Sequence, residues 1–337
     1  MQYVAKVSCV SLGFVYSLFS SFSKYWLDIV HLPSPHPLDF DWRYSDDTVS
    51  AISEVISKSA TVVAGGTPSI ARYLDAVARD VILVDRQPFQ GVRKHVVGEV
   101  GHVRLKIQQA VAVLDPPWYP PEAMQWIAWA SNVVGVGGEI LVTIWPADTR
   151  PSAEQERRDL ENWIRGWAEI SHTDLPISYV APSFEEAALA VSAGINIQTK
   201  PRIGELLRIT VAKEQAAIIL PRRNTSWARF TLNEYQLAIR KDPPTTGAIE
   251  IAPVRGANGW IWPYVSRRAA GRDEISLWSS QNEVALVGNS GHLIDILRAY
   301  ARTELSLTDL HCGYPQLAQW AIPAPPFWRS AEWQHQQ

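Results

Sequence analysis

Residues 61–85 constrain the possible folds of this chain more than any other segment. An apolar run ending at Ala64 is followed by Gly65 and Gly66, then by a helical pattern, then by a second apolar run that ends at Asp85. This order predicts a strand, a tight glycine turn, a helix and a second strand. Glycine permits a close backbone approach, and Asp85 follows Gly65 at about the 20-residue spacing of a carboxylate that binds a ribose hydroxyl. The segment therefore predicts one unit of a nucleotide-binding parallel sheet.

The same alternation of apolar runs and helical patterns extends over residues 60–213. Further strands are predicted at 95–97, 110–114, 139–145, 177–182 and 202–212, the last two as an antiparallel pair. Strands that alternate with helices favour a parallel sheet with helices on both faces. One long charged helix is expected over 152–170. Ligands of such sheets bind beyond the carboxyl ends of the strands, which places the glycine turn and Asp85 on one rim.

A second motif, Asp115-Pro116-Pro117-Trp118-Tyr119, follows the strand predicted at 110–114. The prolines fix the local backbone and remove two N–H donors, so that carbonyl oxygens can face a ligand. The aromatic side chains can stack on a flat ring. A carboxylate, exposed carbonyls and a stacking face are suited to holding an exocyclic amino group. The simpler alternative is a strand that ends in a proline turn.

The four residues from Asp115 to Trp118 resemble the catalytic Asp-Pro-Pro-Trp motif of the S-adenosylmethionine-dependent amino-methyltransferases, which methylate an exocyclic amine, often N6 of adenine. The resemblance covers about residues 40–213. It implies an α/β, Rossmann-like S-adenosylmethionine-dependent methyltransferase fold, with S-adenosyl-L-methionine as the cofactor. It also implies catalytic roles for Asp115, Pro116, Pro117 and Trp118, cofactor binding by Ala64, Gly65, Gly66 and Asp85, and a substrate-stacking role for Tyr119.

The glycine turn departs from the family's pattern. Members usually carry an acidic residue and spaced glycines there, and the acid holds the methionine end of the cofactor. Here the strand ends in Ala64, and Gly-Gly-Thr-Pro follows. Two alternatives to nucleic-acid methylation therefore stay open. One is a methyltransferase-like binding or scaffold protein without activity, and the other is a methyltransferase that acts on a small-molecule or protein amine.

Three segments are expected along the chain: a lead-in at 1–44, a methyltransferase-like domain at 45–218 and a C-terminal α+β recognition or interaction domain at 219–337. In the last segment a hairpin is predicted at 275–287 and a helix at 293–301. Arginines interleaved with aromatics suit contacts to phosphates and bases. The residues meant are Arg267 and Arg268, near Trp260 and Trp262. The tail from Pro323 is expected to be partly loose.

Composition sets the broad class. The chain has 337 residues, 47% hydrophobic and 19% charged, with a net charge of −3, so no global field draws it to nucleic acid. Two cysteines suit a reducing cytoplasm, and no Cys/His cluster has metal-ligand spacing, so no metal is expected. The apolar stretch from Val7 to Phe22 is too short and polar to span a bilayer, which favours a docked helix. The expected partner is DNA or RNA, with a protein partner or a second copy of the chain left open and no membrane.

Overall fold

Two β-sheets organise the molecule. The computed structural model describes residues 32–39, 41–107, 109–193, 202–221, 226–241, 248–266 and 269–333. The apolar stretch predicted as a docked N-terminal helix lies outside these residues. No helix in the described ranges is long and apolar enough to cross a membrane.

The first sheet has the order β1-β8-β9-β6-β5-β2-β3-β4, with β7 also paired to β9. Its strands are β1 (Arg43–Tyr44), β2 (Val62–Gly65), β3 (Val81–Asp85), β4 (His95–Val97), β5 (Val111–Leu114), β6 (Glu139–Ile144), β7 (Ala168–His172), β8 (Ile177–Val180) and β9 (Ile203–Val211). Strands β2 to β6 run parallel to one another, whereas β9 runs antiparallel to β6, β7 and β8. The predicted Rossmann-like α/β fold, with its reversed last strand, is confirmed.

Helices cover both faces of this sheet, as predicted. They are α1 (Asp46–Val55), α2 (Pro68–Ala76), α3 (Pro120–Val134), α4 (Ala153–Arg165) and α5 (Ser183–Ala193). Helices α1 and α2 pack into one core cluster, and α3 and α4 pack into another on the opposite face. Local signals set the ends: Ser45 caps α1, Pro68 starts α2, and Gly135, at φ 71°, ends α3.

The predicted single helix over 152–170 is wrong. Helix α4 ends at Arg165, and after Gly166 the chain enters β7, which pairs with β9. A strand forms there because its backbone groups are satisfied by β9, a partner some 40 residues away that a local pattern cannot show. Trp163 and Trp167 still pack edge to face, with ring centroids 5.4 Å apart, although Trp167 lies beyond the helix.

The second sheet is antiparallel throughout, in the order β12-β14-β13-β11-β10-β15. Its strands are β10 (Trp227–Leu232), β11 (Tyr235–Arg240), β12 (Glu250–Ala252), β13 (Leu277–Ser279), β14 (Val284–Gly288) and β15 (Ser330–Glu332), and α6 (Ser290–Ala301) and α7 (Leu307–Gly313) accompany them. The β13–β14 pair is the predicted hairpin, and α6 contains the predicted helix. The expectation of a loose tail is wrong up to residue 333, because β15 pairs with β10 and Trp333 is buried.

The lead-in joins the two sheets. Ser34 N donates to Glu234 O at 2.7 Å, and the buried His36 ring lies 3.1 Å from Trp278 O through Nε2. From there the chain passes Asp39 and enters β1 in the first sheet. The domain boundary at 218/219 stays a prediction. The lead-in contacts residues on both sides of that boundary.

Candidate functional site

A cavity of about 710 Å³ lies where β2, β3 and β5 end. It contains most of the residues predicted to form a site: Gly66, Asp85, Asp115, Pro116, Pro117, Trp118 and Tyr119. Ala64 and Gly65 are predicted site residues that do not line it. The cavity falls in the size range of small-molecule and cofactor pockets. The two sequence motifs, 30 residues apart at their aspartates, therefore face one space.

Asp115 follows β5 and is partly buried. Tyr179, on β8, donates its hydroxyl proton to Asp115 Oδ1 at 2.8 Å, and it is the one side-chain donor to this carboxylate among the described residues. Burial raises the pKa of Asp115 well above its usual value; the bond from Tyr179 lowers it in part, and the charge of Asp41 raises it further. Tyr179 is a site residue that the sequence reasoning missed, since only the fold brings β8 to β5.

Fewer carbonyl groups and ring faces of the Pro-Pro-Trp-Tyr segment are available to a ligand than its sequence suggests. Tyr119 N donates to Pro117 O at 2.6 Å, which leaves Pro116 as the better candidate for a carbonyl that meets a ligand. Trp118 packs edge-on against Tyr179, with ring centroids 5.9 Å apart. The Arg150 guanidinium lies 5.9 Å from the Tyr119 ring centroid. Both aromatic rings line the cavity and are held by protein neighbours.

The two glycines of the first turn have an internal packing reason. A Cβ on Gly65 would lie 2.7 Å from Leu114 Cδ2. A Cβ on Gly66, where φ is +63°, would lie 2.5 Å from Trp126 Cη2. The expected reason, a close approach of the backbone to a cofactor, is therefore not needed to explain them. Gly66 and Trp126 together form part of the cavity wall.

Asp85 ends β3 and is partly buried. Gln87 N donates to Asp85 Oδ1 at 2.8 Å. Burial, together with the charges of Asp41 and Asp39, raises the pKa of Asp85 to about 7, against the opposing effects of the Gln87 bond and Arg86. Ionisation of this carboxyl is thus costly without a ligand, and a hydrogen-bond donor in the cavity would stabilise the charged form.

Asp39, Asp41 and Trp42 form a further wall that the sequence reasoning did not assign to the site. Asp39 bonds to Arg86, next to the end of β3, and accepts a bond from Arg229 Nη2 of β10 at 2.6 Å. Burial acts to raise the pKa of Asp39, but the two arginines outweigh it and hold the pKa well below its usual value. Asp41 and Trp42 also line the cavity.

Trp42 contributes both to the cavity and to the packing of the lead-in. It lines the cavity, and its Nε1 donates to Glu185 Oε2 at 2.7 Å. The Arg202 guanidinium covers the ring, 4.0 Å from its centroid. The alternation of acids and aromatics at 39–42 was the one signal available in the sequence. Phe40 lies outside the described residues.

The predicted nucleic-acid face of the C-terminal region is only partly described. Arg267 and Arg268 lie outside the described residues. Trp262 is fully buried, so it cannot present a face to a base, and the prediction for this residue is wrong. Trp260 is partly exposed and packs against Trp320, with ring centroids 6.1 Å apart. Ser266, just before the arginine pair, reaches the cavity.

The described ranges contain no group of three or more His, Cys, Asp or Glu side chains arranged to hold a metal ion. The cavity carries acidic charge instead. Six carboxylates line it, those of Asp39, Asp41, Asp85, Glu99, Asp115 and Glu122, against three arginines, Arg86, Arg150 and Arg202. Each of these arginines pairs with a carboxylate.

No protein-family model matches the chain, and no curated protein matches its sequence. Among solved structures, the chain is similar to the branched-chain polyamine synthase of Thermus thermophilus at 12% identity and a TM-score of 0.44, over 60% of this chain and 67% of the synthase. A 16S rRNA N2 methyltransferase of T. thermophilus has 10% identity and a TM-score of 0.35 over 59% of this chain and 48% of its own. An rRNA methylase of Streptococcus thermophilus has 14% identity and a TM-score of 0.28 over 49% and 95%. At these values the similarity concerns the arrangement of the chain and not its activity.

Proposed function

We propose that this protein transfers a methyl group from S-adenosylmethionine to an exocyclic amine, with N6 of adenine in DNA or RNA as the preferred acceptor. One observation carries the proposal. Asp85, at the position of a ribose-binding carboxylate, and Asp115, at the head of the Asp-Pro-Pro-Trp segment, line one cavity. A transfer reaction needs its two binding functions in one space, because the reacting atoms must meet in line.

The cavity fits the cofactor at its nucleoside end. Asp85 is a half-satisfied carboxylate, with Gln87 N as its described donor, so it can accept bonds from a ribose diol. The volume of about 710 Å³ accommodates a nucleoside together with part of an acceptor. Asp41, beside Asp85 and Asp115, adds negative charge near the place of a cationic ligand. When bound, the cofactor supplies an electrophilic methyl group.

Asp115 would hold the acceptor amine. An exocyclic aromatic amine is a weak nucleophile because its lone pair is delocalised into the ring. N–H bonds to Asp115 and to the carbonyl of Pro116 would favour a tetrahedral nitrogen and free the lone pair. Tyr179 fixes the carboxylate through Oδ1, and the raised pKa of Asp115 suits it to take up the proton that the amine loses. In duplex nucleic acid the base would have to flip out of the stack.

The chain order supports a recognition role for residues 219–337, since the cofactor turn and Asp-Pro-Pro-Trp both precede them. Ser266 and Pro221 on the cavity wall bring this region next to the acceptor. A cytoplasmic location would suit a nucleic-acid substrate. These assignments belong to the proposal and are tested with it.

A second candidate acceptor is favoured by the charge of the cavity. Six carboxylates against three paired arginines suit a small-molecule or protein amine that carries positive charge, and they disfavour a phosphate-rich strand. The same reaction and the same role of Asp115 apply. The acceptor pools in the assay decide between the two.

The test is transfer of labelled methyl from S-adenosylmethionine to DNA, RNA and small-amine pools. Asp115→Ala should lower the rate by at least about 10²-fold, the scale of losing one aligned polar group, and should leave cofactor affinity nearly unchanged. Asp159→Ala, an exposed position on α4, is the matched control. Cofactor binding without transfer to any pool would leave the binding or scaffold role in place of the enzyme.

A further inference from the structure

Buried nitrogen atoms without a partner mark one side of the cavity. Among the described residues, three cavity-lining side chains have such an atom: Gln87 Nε2, His102 Nδ1 and Gln125 Nε2. His102 Nδ1 has Glu99 Oε2 at 3.5 Å, so a charged neighbour is within reach. The two amides have no such neighbour described. Gln87 and Gln125 are each only 4% exposed.

Such groups are costly without a ligand. A buried amide N–H₂ that finds no acceptor has lost its hydrogen bonds to water without gaining one in the protein, which destabilises the folded state. Native proteins pair nearly all buried polar groups, and an exception calls for a ligand or a water at that point. Here both side chains line the cavity that contains Asp85 and Asp115, while the nitrogen atoms themselves are buried.

Gln125 is held in place by a specific packing contact. It lies in the second turn of α3, and its Cγ and Cδ would be 2.9 Å from a Cβ on Gly101, where φ is +93°. Only glycine leaves room for this amide and also tolerates that backbone conformation. The local structure therefore fixes the Gln125 side chain against the 98–103 loop rather than leaving it free to turn into solvent.

A flat aromatic ring lines the same cavity as Gln125. Trp126 is the next residue on α3, lines the cavity and packs over Gly66. A carboxamide presents a donor and an acceptor side by side, which matches an amino group next to a ring nitrogen, and glutamine makes this bidentate pair with adenine. Aromatic rings provide stacking faces for bases. An amide edge and an aromatic face together are the chemistry that recognises an adenine ring.

We propose that Gln125 is a specificity-determining residue that binds the amino edge of an adenine ring in this cavity. The ring belongs either to the nucleoside of the cofactor or to the acceptor base, and in that respect the inference rests on the proposed function. Gln87, whose backbone N–H bonds to Asp85, lies closer along the chain to the ribose carboxylate and supplies a second donor.

The experiment measures binding rather than turnover. Two ligand pairs are titrated into the full chain by calorimetry: S-adenosylhomocysteine with its analogue that lacks the 6-amino group, and adenosine with purine riboside. Wild type should prefer the amino form of at least one pair by about tenfold, the scale of one well-placed hydrogen-bond pair. Gln125→Met, of similar length and volume, should reduce that preference to less than about twofold. The pair that responds identifies the source of the ring.

Two further variants keep the result interpretable. Gln125→Glu retains an acceptor for the amino group and should retain the preference, whereas a purely structural role would not separate it from Gln125→Met. Gln90→Met, at an exposed position, is the control and should behave as wild type. Circular dichroism and thermal unfolding show that each variant folds, and Gln125→Leu replaces Gln125→Met if the latter does not.

The inference is overturned if neither pair binds, or if the preference in Gln125→Met equals that of wild type. Failure of the proposed function gives a different pattern. A Gln125-dependent preference for the amino form without any methyl transfer would refute the enzyme and leave the adenine site standing. Methyl transfer with a preference that does not depend on Gln125 would support the enzyme and refute the role of Gln125.

Discussion

Two carboxylates, one next to a strand of each sheet, differ in the number of hydrogen bonds that the fold supplies to them. Glu283, at the start of β14, is 5% exposed and accepts from Tyr235 Oη and Ser279 Oγ through Oε2 and from Ala321 N through Oε1, all at 2.6 Å. Asp115, at the end of β5, receives one described side-chain bond, from Tyr179. A carboxylate with a full set of donors stabilises the structure around it. A carboxylate with an incomplete set keeps acceptor capacity for something else.

The same contrast extends to the surroundings. The donors to Glu283 lie on β11, on β13 and at Ala321, so this carboxylate connects strands of the second sheet with the segment at Ala321. Burial raises the pKa of Asp115, and the charge of Asp41 raises it further. The first sheet therefore tolerates an electrostatic cost at its rim. Such costs are typical of binding and catalytic sites.

The largest expected effect concerns the satisfied carboxylate. Glu283→Ala leaves three donors without an acceptor, two of them on buried side chains, and should lower the free energy of unfolding by about 3–5 kcal/mol. Urea denaturation followed by circular dichroism measures this. Glu250→Ala, an exposed glutamate on β12, is the control and should change stability by less than about 0.5 kcal/mol. An equal loss of stability in Asp115→Asn would break the comparison.

A smaller effect is expected at the rim, and it concerns binding. Asp85→Ala should weaken the binding of S-adenosylhomocysteine by about 1–3 kcal/mol, because a charged acceptor for ribose hydroxyls is lost. Calorimetric titration measures it. Asp80, exposed just before the start of β3, gives the matched variant Asp80→Ala, which should bind as wild type does. Equal affinity for all three proteins would remove Asp85 from the site.

The raised pKa of Asp85 makes stability depend on pH. Between about pH 4 and the folded-state value of about 7, the folded protein holds a proton that the unfolded chain has released. The free energy of unfolding therefore falls as pH rises through this window. Asp85→Asn should remove a slope of up to about 1.4 kcal/mol per pH unit. Parallel stability curves for wild type and variant between pH 4.5 and 8 would contradict the assignment.

The smallest expected effect distinguishes two tyrosine–carboxylate pairs, Tyr179 with Asp115 and Tyr235 with Glu283. The bond from Tyr179 lowers the pKa of Asp115, so Tyr179→Phe should raise that pKa. If the carboxylate is the active form, the low-pH limb of methyl transfer should move upward by up to about 1 pH unit. Tyr235→Phe should cost stability and leave the limb in place. A shift in both variants, or in neither, would contradict a special role of the Tyr179 pair.

Local sequence patterns predicted what depends on local physics. The apolar runs gave β2, β3, β5 and β6, and a glycine turn followed by a carboxylate located Asp85 correctly on the rim. The Asp-Pro-Pro-Trp segment was placed at a strand end for the same reason. Strand pairing over distance was harder to predict. The turn from α4 into β7 depends on β9, a partner far along the chain. The β10–β11 hairpin, closed by Asn233 at φ 57°, is a local pairing that was not predicted.

The site shows the same limit. Tyr179 and Gln125 carry no signature of their own, and each reaches the cavity because the fold brings β8 and α3 to one edge. Gly66 shows the converse problem. Its sequence context suggested a cofactor contact, but the residue that requires the glycine is Trp126, 60 positions further on. A motif can therefore be located correctly while its physical reason lies in a contact that sequence spacing does not reveal.

The bridge from Arg86 through Asp39 to Arg229 has a consequence for modularity. A fragment cut at the expected boundaries, residues 45–218, would lack Asp39, Asp41 and Trp42 from one side of the cavity and Ser266 from the other. Arg86 would lose its partner and stand next to Asp85 as an uncompensated charge. The lead-in, the first sheet and the C-terminal region thus all contribute residues to the pocket. Replacement of the C-terminal region during evolution would therefore also change the wall of the pocket.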